Sequence, residues 1–268
     1  PWFITVSNIE SRDPSQVIAG NERVVRPRLT DAAFFYRTDR QQPLSAHIAA
    51  LKRVTFQTQL GSQHDKSERV RALAKSIAAT IGGDPALADR AAVLSKCDLL
   101  THMVGEFPEL QGLMGRYYAL HDHEPAEVAE ALREQYLPRF AGDALPATRT
   151  GMALSIADKL DTLAGIYATG QKPTGTRDPF GLRRAALGLL RTSIEQGLDL
   201  DLQQLIRQAV AAARADMARV AIDQGKPLGA VDAEKLAVEV YDYVLERLRA
   251  YYVEGTADLT VSVEAFDA

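Results

Sequence analysis

The sequence has a single cysteine, Cys97, among its 268 residues, so it cannot form an internal disulfide. It has no run approaching the roughly 20 consecutive apolar residues that a membrane-spanning helix needs. Its first residues, Pro1-Trp2-Phe3, have the form of neither a secretory leader nor a natural start. We therefore expect a protein of the reducing cytoplasm with no membrane association, and we interpret the chain as part of a longer one.

The sequence also lacks an excess of positive charge, with 31 Lys and Arg against 35 Asp and Glu. A net charge of −4 argues against bulk attraction to nucleic acid, so any such binding must come from local basic patches. Two common enzyme motifs are missing, the glycine-rich phosphate loop of the Walker type and GxSxG. Cys97 lies in an apolar segment, where an inert core thiol is expected rather than a nucleophile.

Helical periodicity dominates what the sequence does contain. Apolar residues recur every three to four positions, and Gly or Pro marks most of the ends. Helices are predicted over 14–20, 44–61, 66–81, 85–98, 125–137, 150–169, 180–196, 201–222 and 231–252. Asp65 and Glu68 have the spacing of a capping box at the third of these helices. Because only 3–9 reads convincingly as a strand before the C-terminus, we predict a mainly α protein with a short N-terminal segment containing a strand.

The segment 94–119 contains an acid that needs explaining. Its first half is an apolar helical pattern that places Cys97 and Asp98 side by side, facing the interior. Burying an unpaired carboxylate costs more free energy than helix formation supplies, so Asp98 requires a partner. The sequence leaves three kinds of partner open: a metal ion, a cationic side chain or water.

One interpretation of the acids is a metal site. Histidine precedes aspartate at His64-Asp65 and at His121-Asp122, and a further acid, Asp158 or Asp161, could complete an octahedral site for a hard cation. The other interpretation is that both His–Asp pairs lie in helix caps or turns, where Asp is common for backbone reasons.

Three further segments, 66–74, 92–100 and 154–163, resemble in order and spacing the metal-binding helices of HD-type phosphohydrolases. In that family a His, a His-Asp pair and a later Asp hold the metal. The matching positions here are Lys66, Cys97-Asp98 and Asp158, so both histidines are missing. We hypothesise an HD-like core whose metal centre is replaced by a salt-bridge cluster, in which Lys66 neutralises Asp98 and Asp158. An ammonium offers no open coordination position to activate water, and Lys66→Ala is then expected to unfold or loosen the domain.

The clearest local charge signal is the segment 171–191. It carries five cations against the single acid Asp178, namely Lys172, Arg177, Arg183, Arg184 and Arg191. A helix that starts near Asp178-Pro179 would also point backbone N–H groups outward, as phosphate binding favours. The alternative is that Arg183 and Arg184 pair with acids of the same chain.

Five stretches of the chain carry a family resemblance: GNERVVRPRLTDAAFFY, VGEFPELQGLMGRYYALHD, YLPRFAGD, ADKLDTLAGI and PTGTRDPFGLRRAALG. Together they resemble the β subunit of the bacterial two-subunit glycyl-tRNA synthetase, and the likeness runs through essentially all of the sequence in order. The resemblance implies an α2β2 assembly that joins glycine to its tRNA using ATP and Mg²⁺. The α subunit houses the aminoacylation site, and the β subunit mainly recognises and holds tRNA(Gly).

The resemblance also implies a domain organisation. Residues 1–43 would end an upstream sheet-containing region, 44–172 would form an HD-like helical domain, and 173–268 would lead into a truncated anticodon-binding domain. We expect this part of the subunit to be noncatalytic, to hold no cofactor of its own, and to serve in tRNA contact and subunit assembly, which leaves room for contacts between two copies of the chain.

The residues expected to contact the tRNA phosphates are cationic, namely Arg183, Arg184 and Arg177, with Lys172 and Arg139 as weaker candidates. Two other functions remain open from the sequence. One is an active HD-type metal phosphohydrolase that uses the histidine and aspartate candidates named above as ligands. The other is a pure interaction scaffold with protein partners and no RNA affinity.

Overall fold

The computed structural model describes residues 2–8, 10–140, 142–174, 177–227, 229 and 231–253. These residues are mainly helical, as predicted. Their α-helices are α1 (Pro14–Asp39), α2 (Gln63–Thr80), α3 (Pro85–Leu94), α4 (His102–Glu106), α5 (Leu113–His121), α6 (Ala126–Glu134), α7 (Arg149–Ala168), α8 (Leu182–Glu195), α9 (Leu202–Asp223) and α10 (Ala233–Val253). Short 3-10 helices lie at Leu44–His47, Ala49–Arg53, Cys97–Leu100 and Pro108–Leu110. Strands β1 (Thr55–Gln57) and β2 (Gly61–Ser62) form an antiparallel hairpin.

Helix α7 is the centre of the fold. Its sequence is apolar on nearly every face, which is typical of a helix surrounded by others, and almost all of its residues are buried. Helices α2, α6, α8 and α9 pack against it, and α10 packs against α8 and α9. One continuous hydrophobic core therefore runs from Leu44 to Val244 across the described residues. The domain boundaries at 43/44 and 172/173, and the HD-like character of 44–172, stay predictions.

The N-terminal segment differs from its prediction. Asp13 caps α1 by accepting the Ser15 N–H at 3.0 Å, and Pro14 occupies the first turn, as expected. The helix does not stop at Gly20, however, but continues through Pro27 to Asp39. The strand predicted over 3–9 was also wrong, since residues 2–8 lie outside helices and strands and Ile9 lies outside the described residues.

The helix predicted over 44–61 was wrong as well. The chain forms two 3-10 helices there and then turns through the β1–β2 hairpin, in which Gly61 takes a positive φ of 88°. β-Branched residues at Val54 and Thr55 favour the extended conformation that ends the helical pattern. The capping box of α2 lies one turn earlier than predicted, because Ser62 and Asp65 form it in place of Asp65 and Glu68.

Most of the later helices match their predicted spans to within a few residues, including α6, α7, α9 and α10. Two differ in a way that matters for the sites below. Helix α3 ends at Leu94, before Asp98, and α8 begins at Leu182 rather than beside Pro179. Within the described residues, no helix combines the length and apolarity needed to cross a membrane.

Candidate functional site

Lys66 is held at the start of α2 by the capping box. The Ser62 hydroxyl accepts the Asp65 N–H at 3.2 Å, and the Asp65 carboxylate accepts the Ser62 N–H at 2.6 Å. Fixing this first turn points Lys66 inward toward α7, where it is only 4% exposed. Its Nζ donates to Asp161 Oδ2 at 3.0 Å and lies 3.4 Å from Asp158 Oδ1. The structure thus brings Lys66 and Asp158 together.

Arg69 lies one turn further along α2 and extends this cluster. Its Nε donates to Asp161 Oδ1 at 2.6 Å, and its Nη1 donates to Asp216 Oδ2 on α9 at 2.6 Å. Although burial opposes the charge, the Asp161 and Asp216 carboxylates raise the pKa of Arg69 above its ordinary value. One guanidinium therefore ties α2 to both α7 and α9.

A second lysine holds the other acid. Lys96 Nζ lies 3.0 Å from Asp158 Oδ1 and donates to Gln135 Oε1 at 2.7 Å. Burial alone would raise the pKa of Asp158, but the Lys66 and Lys96 ammonium groups outweigh it and hold that pKa well below its usual range. We call these six charged residues the ionic cluster: Lys66, Arg69, Lys96, Asp158, Asp161 and Asp216.

Asp98 does not join the ionic cluster. Because α3 ends early, its carboxylate turns toward α5, where Oδ2 accepts the Gly112 and Gly115 N–H groups at 2.5 and 3.1 Å. Burial raises the pKa of Asp98 despite these bonds. Its neighbour Cys97 is fully buried, and burial together with the Asp98 charge raises its pKa to about 12. The expected partnership of Lys66 with Asp98 is therefore not what the structure shows.

The histidine–aspartate pairs occupy caps and turns. Asp65 belongs to the capping box and pairs with Arg219 at 2.7 Å. Asp122 accepts the Leu44 N–H at 2.6 Å, and its other oxygen lies 3.2 Å from His121 Nδ1. The described residues contain no group of three or more His, Cys, Asp or Glu side chains that could hold a metal. The other candidate ligands, His64, Asp158 and Asp161, therefore belong to no such group either.

The ionic cluster has a clear chemical capacity. Its three cations face three carboxylates, so each buried charge is compensated. Ammonium and guanidinium groups have no lone pair to offer a metal ion, and they fill the space between the acids that a metal would need. The arrangement can lock three helices together, and it does not support the alternative of an active metal phosphohydrolase.

Two of the basic candidates, Arg139 and Arg184, lie on a different surface, built from residues 135–140 and α8. Gly188 makes the contact close, because a Cβ at that position would lie 2.7 Å from Lys159 Cε and 3.4 Å from Pro138 Cδ. The loop therefore lies directly on α8, and Arg139 and Arg184 line the same cleft. We call Arg139, Phe140 and Arg184 the arginine surface.

The basic candidate residues differ in their exposure and in the ion pairs that they form with the rest of the chain. Arg184 is exposed and makes no ion pair with the described residues. Arg139 is 60% exposed and pairs with Asp143 at 3.3 Å, which is a weak surface interaction. Lys172 is paired with Glu239 at 2.6 Å and so is the least available of the set. Arg177 is exposed and exchanges two backbone hydrogen bonds with Thr174.

The N-terminus of α8 is already occupied. Asp178 accepts the Leu182 N–H at 2.8 Å and the Arg183 N–H at 2.9 Å, so its carboxylate satisfies the N–H groups that were expected to face a phosphate. Any phosphate at this end of the helix is therefore left to the arginine side chains.

Sequence reasoning missed several residues of both sites. Phe140 is 61% exposed and lies beside Arg139 and Arg184, but a lone loop aromatic gives no periodic signal. Lys96 and Asp216 were missed because their partners are far along the chain. Arg69 could have been found, since it lies three residues after Lys66 and so shares its face of α2.

Comparison with known proteins confirms the family resemblance. A family model described as glycyl-tRNA synthetase beta subunit matches residues 1–265. Curated glycine–tRNA ligase beta subunits are similar to the chain: that of Chromohalobacter salexigens is 55% identical over 266 residues, covering 99% of this chain and 36% of that protein. The subunit of Hahella chejuensis is 56% identical over 255 residues, covering 95% of this chain and 35% of that protein. The chain thus spans a little over a third of the length of these relatives, and it belongs to the glycyl-tRNA synthetase beta subunit family.

Proposed function

We propose that this chain is a noncatalytic, tRNA-contacting part of a glycine–tRNA ligase beta subunit. The observation that carries the proposal is the family match over residues 1–265. We further propose that it works with an α subunit in an α2β2 enzyme, that two copies of the chain lie in one assembly, and that tRNA(Gly) is the nucleic acid it holds. ATP and Mg²⁺ are then used by the complete enzyme and not at the sites described above.

The arginine surface supports the tRNA part of the proposal. Guanidinium groups bind phosphate through two parallel N–H donors, and they do so best where no carboxylate of the same protein competes. Arg184 meets that condition among the described residues, and Arg139 meets it nearly, since its ion pair with Asp143 lies at the surface. In a chain of net charge −4, such a local concentration of arginine is what phosphate contact requires.

The ionic cluster supports the noncatalytic part. Lys66 and Asp158 stand at positions that resemble metal-ligand positions of HD-type enzymes, and here both Lys66 and Lys96 pair with Asp158. The cluster stabilises the helices that carry the arginine surface, since α7 packs against α8 and α6.

The first test is the double variant Arg183→Ala/Arg184→Ala in the full-length protein. Removing two charge-assisted interactions is expected to weaken tRNA(Gly) binding by about ten-fold or more. The slope of log affinity against log salt should also fall by about 1 for each phosphate that is no longer bound. Filter binding or fluorescence anisotropy over a range of KCl concentrations measures both quantities. Glycine-dependent ATP–pyrophosphate exchange by the variant assembled with its α subunit should be unchanged, because the two arginines act on tRNA and not on glycine activation.

The matched control is Arg207→Ala, which removes an exposed arginine of α9 that pairs with Glu234. It is expected to leave affinity and salt slope nearly unchanged. If the double variant binds tRNA as tightly as its parent and with the same salt slope, these two arginines have no part in tRNA contact.

A further inference from the structure

A cleft of about 400 Å³ opens between the 135–140 loop and the start of α8. Its lining includes Arg139 and Arg184 together with the aromatic side chains of Tyr136 and Phe180. Gln111 borders it from the side of the 3-10 helix at Pro108–Leu110. The volume lies within the range of protein sites for small molecules, roughly 300–1,000 Å³. We call this space the α8 cleft.

A buried cation lies in the wall of the α8 cleft. Lys159 is 7% exposed, and its Nζ donates to the Leu137 carbonyl at 2.7 Å and to Ser155 Oγ at 2.6 Å. Unlike Lys66 and Lys96, it has no carboxylate within 4.0 Å among the described residues. The Gln135 and Ser155 carbonyl oxygens, at 3.4 and 3.5 Å, complete its set of acceptors. Lys159 therefore adds positive charge to the wall of the cleft but has no N–H group left to donate to a ligand.

Tyr136 contributes its ring to the cleft and not its hydroxyl. The hydroxyl of Tyr136 is buried and makes no hydrogen bond to the described residues. The ring of Tyr136 carries the Lys96 ammonium 4.6 Å from its centroid, which fixes the ring at the wall of the cleft.

The chemistry of the cleft selects its ligand. Arg139 and Arg184 can donate to a phosphate, and the Lys159 charge in the wall adds to the attraction. Tyr136 and Phe180 offer apolar ring surface for a base. The one acid in the lining, Glu109, would repel a phosphate but can accept hydrogen bonds from a base amino group.

We propose that the α8 cleft binds a single nucleotide, with its phosphate at Arg139 and Arg184 and its base against Tyr136 and Phe180. The inference deepens the proposed tRNA contact and rests on it, because Arg184 belongs to both. The same chemistry has two sources, an unpaired nucleotide of the bound tRNA or a free nucleoside phosphate.

The experiment uses the full-length protein with three probes: adenosine 5′-monophosphate, adenosine and inorganic phosphate. Isothermal titration calorimetry is expected to show the monophosphate binding at least about ten-fold more tightly than adenosine, since the nucleoside lacks the charge-assisted bonds. The variant Gln111→Trp fills the mouth of the cleft from an exposed position without removing a cation, and Arg184→Gln removes one cation from an exposed position. Each is expected to weaken binding of the monophosphate by about ten-fold or more, and thermal melting confirms that both variants fold.

The two sources give different patterns. If an unpaired tRNA nucleotide is the ligand, the monophosphate competes with tRNA(Gly), and Gln111→Trp weakens both. If a free nucleotide is the ligand, Gln111→Trp abolishes binding of the monophosphate and leaves tRNA affinity unchanged. Either pattern supports the cleft as a nucleotide site.

The inference is overturned if adenosine binds as tightly as its monophosphate, or if Gln111→Trp changes neither monophosphate nor tRNA binding. Its failure is distinguishable from failure of the proposed function. Loss of tRNA affinity in Arg183→Ala/Arg184→Ala, with no effect of Gln111→Trp and no monophosphate binding, would remove the cleft and keep the arginine surface.

Discussion

Replacing Asp161 by alanine is expected to lower the free energy of unfolding by about 3–5 kcal/mol, the usual cost of breaking a buried ion pair from one side. Asp161 is fully buried and is the only acid that contacts both Lys66 and Arg69 among the described residues. Without it, Lys66 keeps Asp158 as its acid at 3.4 Å, and Arg69 keeps Asp216 at 2.6 Å. Urea unfolding followed by circular dichroism measures the change.

The control for Asp161→Ala is Glu68→Ala, which removes an exposed carboxylate from α2 that pairs with Arg71 at 3.3 Å. Exposed pairs of this kind contribute at most about 1 kcal/mol. Equal effects of the two substitutions would show that the ionic cluster contributes no more to stability than a surface pair.

The ionic cluster also changes the expectation for Lys66→Ala. The sequence suggested that this variant leaves two buried acids unpaired, but Asp161 retains Arg69 and Asp158 retains Lys96. We therefore expect Lys66→Ala to destabilise the protein less than Asp161→Ala does. In the double variant Lys66→Met/Asp161→Leu the destabilisation should be smaller than the sum of the two single effects, because both charges of one pair are removed together.

Gly151→Ala is expected to destabilise the protein by about 3 kcal/mol or more, an effect that single substitutions seldom reach. A Cβ at this position would overlap the Glu134 carboxylate and would lie 2.8 Å from Glu134 Cβ. Glu134 is 1% exposed and accepts the Ala147 N–H at 2.7 Å and the Thr148 N–H at 3.2 Å. These bonds close the loop that carries Arg139, so the variant should weaken tRNA binding as well as stability.

The matched control for Gly151→Ala is Gly20→Ala, which makes the same change in α1, where a Cβ meets no atom within 4 Å. That variant should be neutral or slightly more stable, since glycine in a helix costs roughly 0.5–1 kcal/mol relative to alanine. Thermal unfolding of both variants checks the pair of results. A Gly151→Ala protein that melts with its parent would mean that Glu134 does not constrain the loop.

The parts of the fold that sequence could predict are those whose apolar pattern is strong and local. Helices α7, α9 and α10 were predicted nearly to their ends because their apolar residues recur without interruption. The 44–61 segment failed because its apolar residues fit a helix, whereas the chain is turned by 3-10 geometry and by the positive φ of Gly61. Tertiary contacts decide whether such a segment forms an α-helix or turns, and a periodic pattern carries no information about those contacts.

The candidate site was also predictable from the sequence only in part. The approach of Lys66 to Asp158 was anticipated because a family pattern linked their segments, yet Asp98 turned away because α3 ends at Leu94. The Ser95 hydroxyl donates to the Ala92 carbonyl at 2.8 Å, a local bond that competes with helix continuation. Partners such as Arg69 and Asp161 lie 92 positions apart in the sequence. Over that separation, the sequence alone does not show which residues of two packed helices face each other.

The most direct test of tRNA contact at the arginine surface is ultraviolet cross-linking of the full-length protein to tRNA(Gly), with the cross-linked peptides identified by mass spectrometry. The proposal predicts cross-links in 135–140 and 177–191, which carry Tyr136, Phe140 and the arginines of α8. Adding KCl should suppress these cross-links, because the contacts are made to phosphates. Cross-links confined to other segments of residues 1–268, with none in these two, would contradict the proposal.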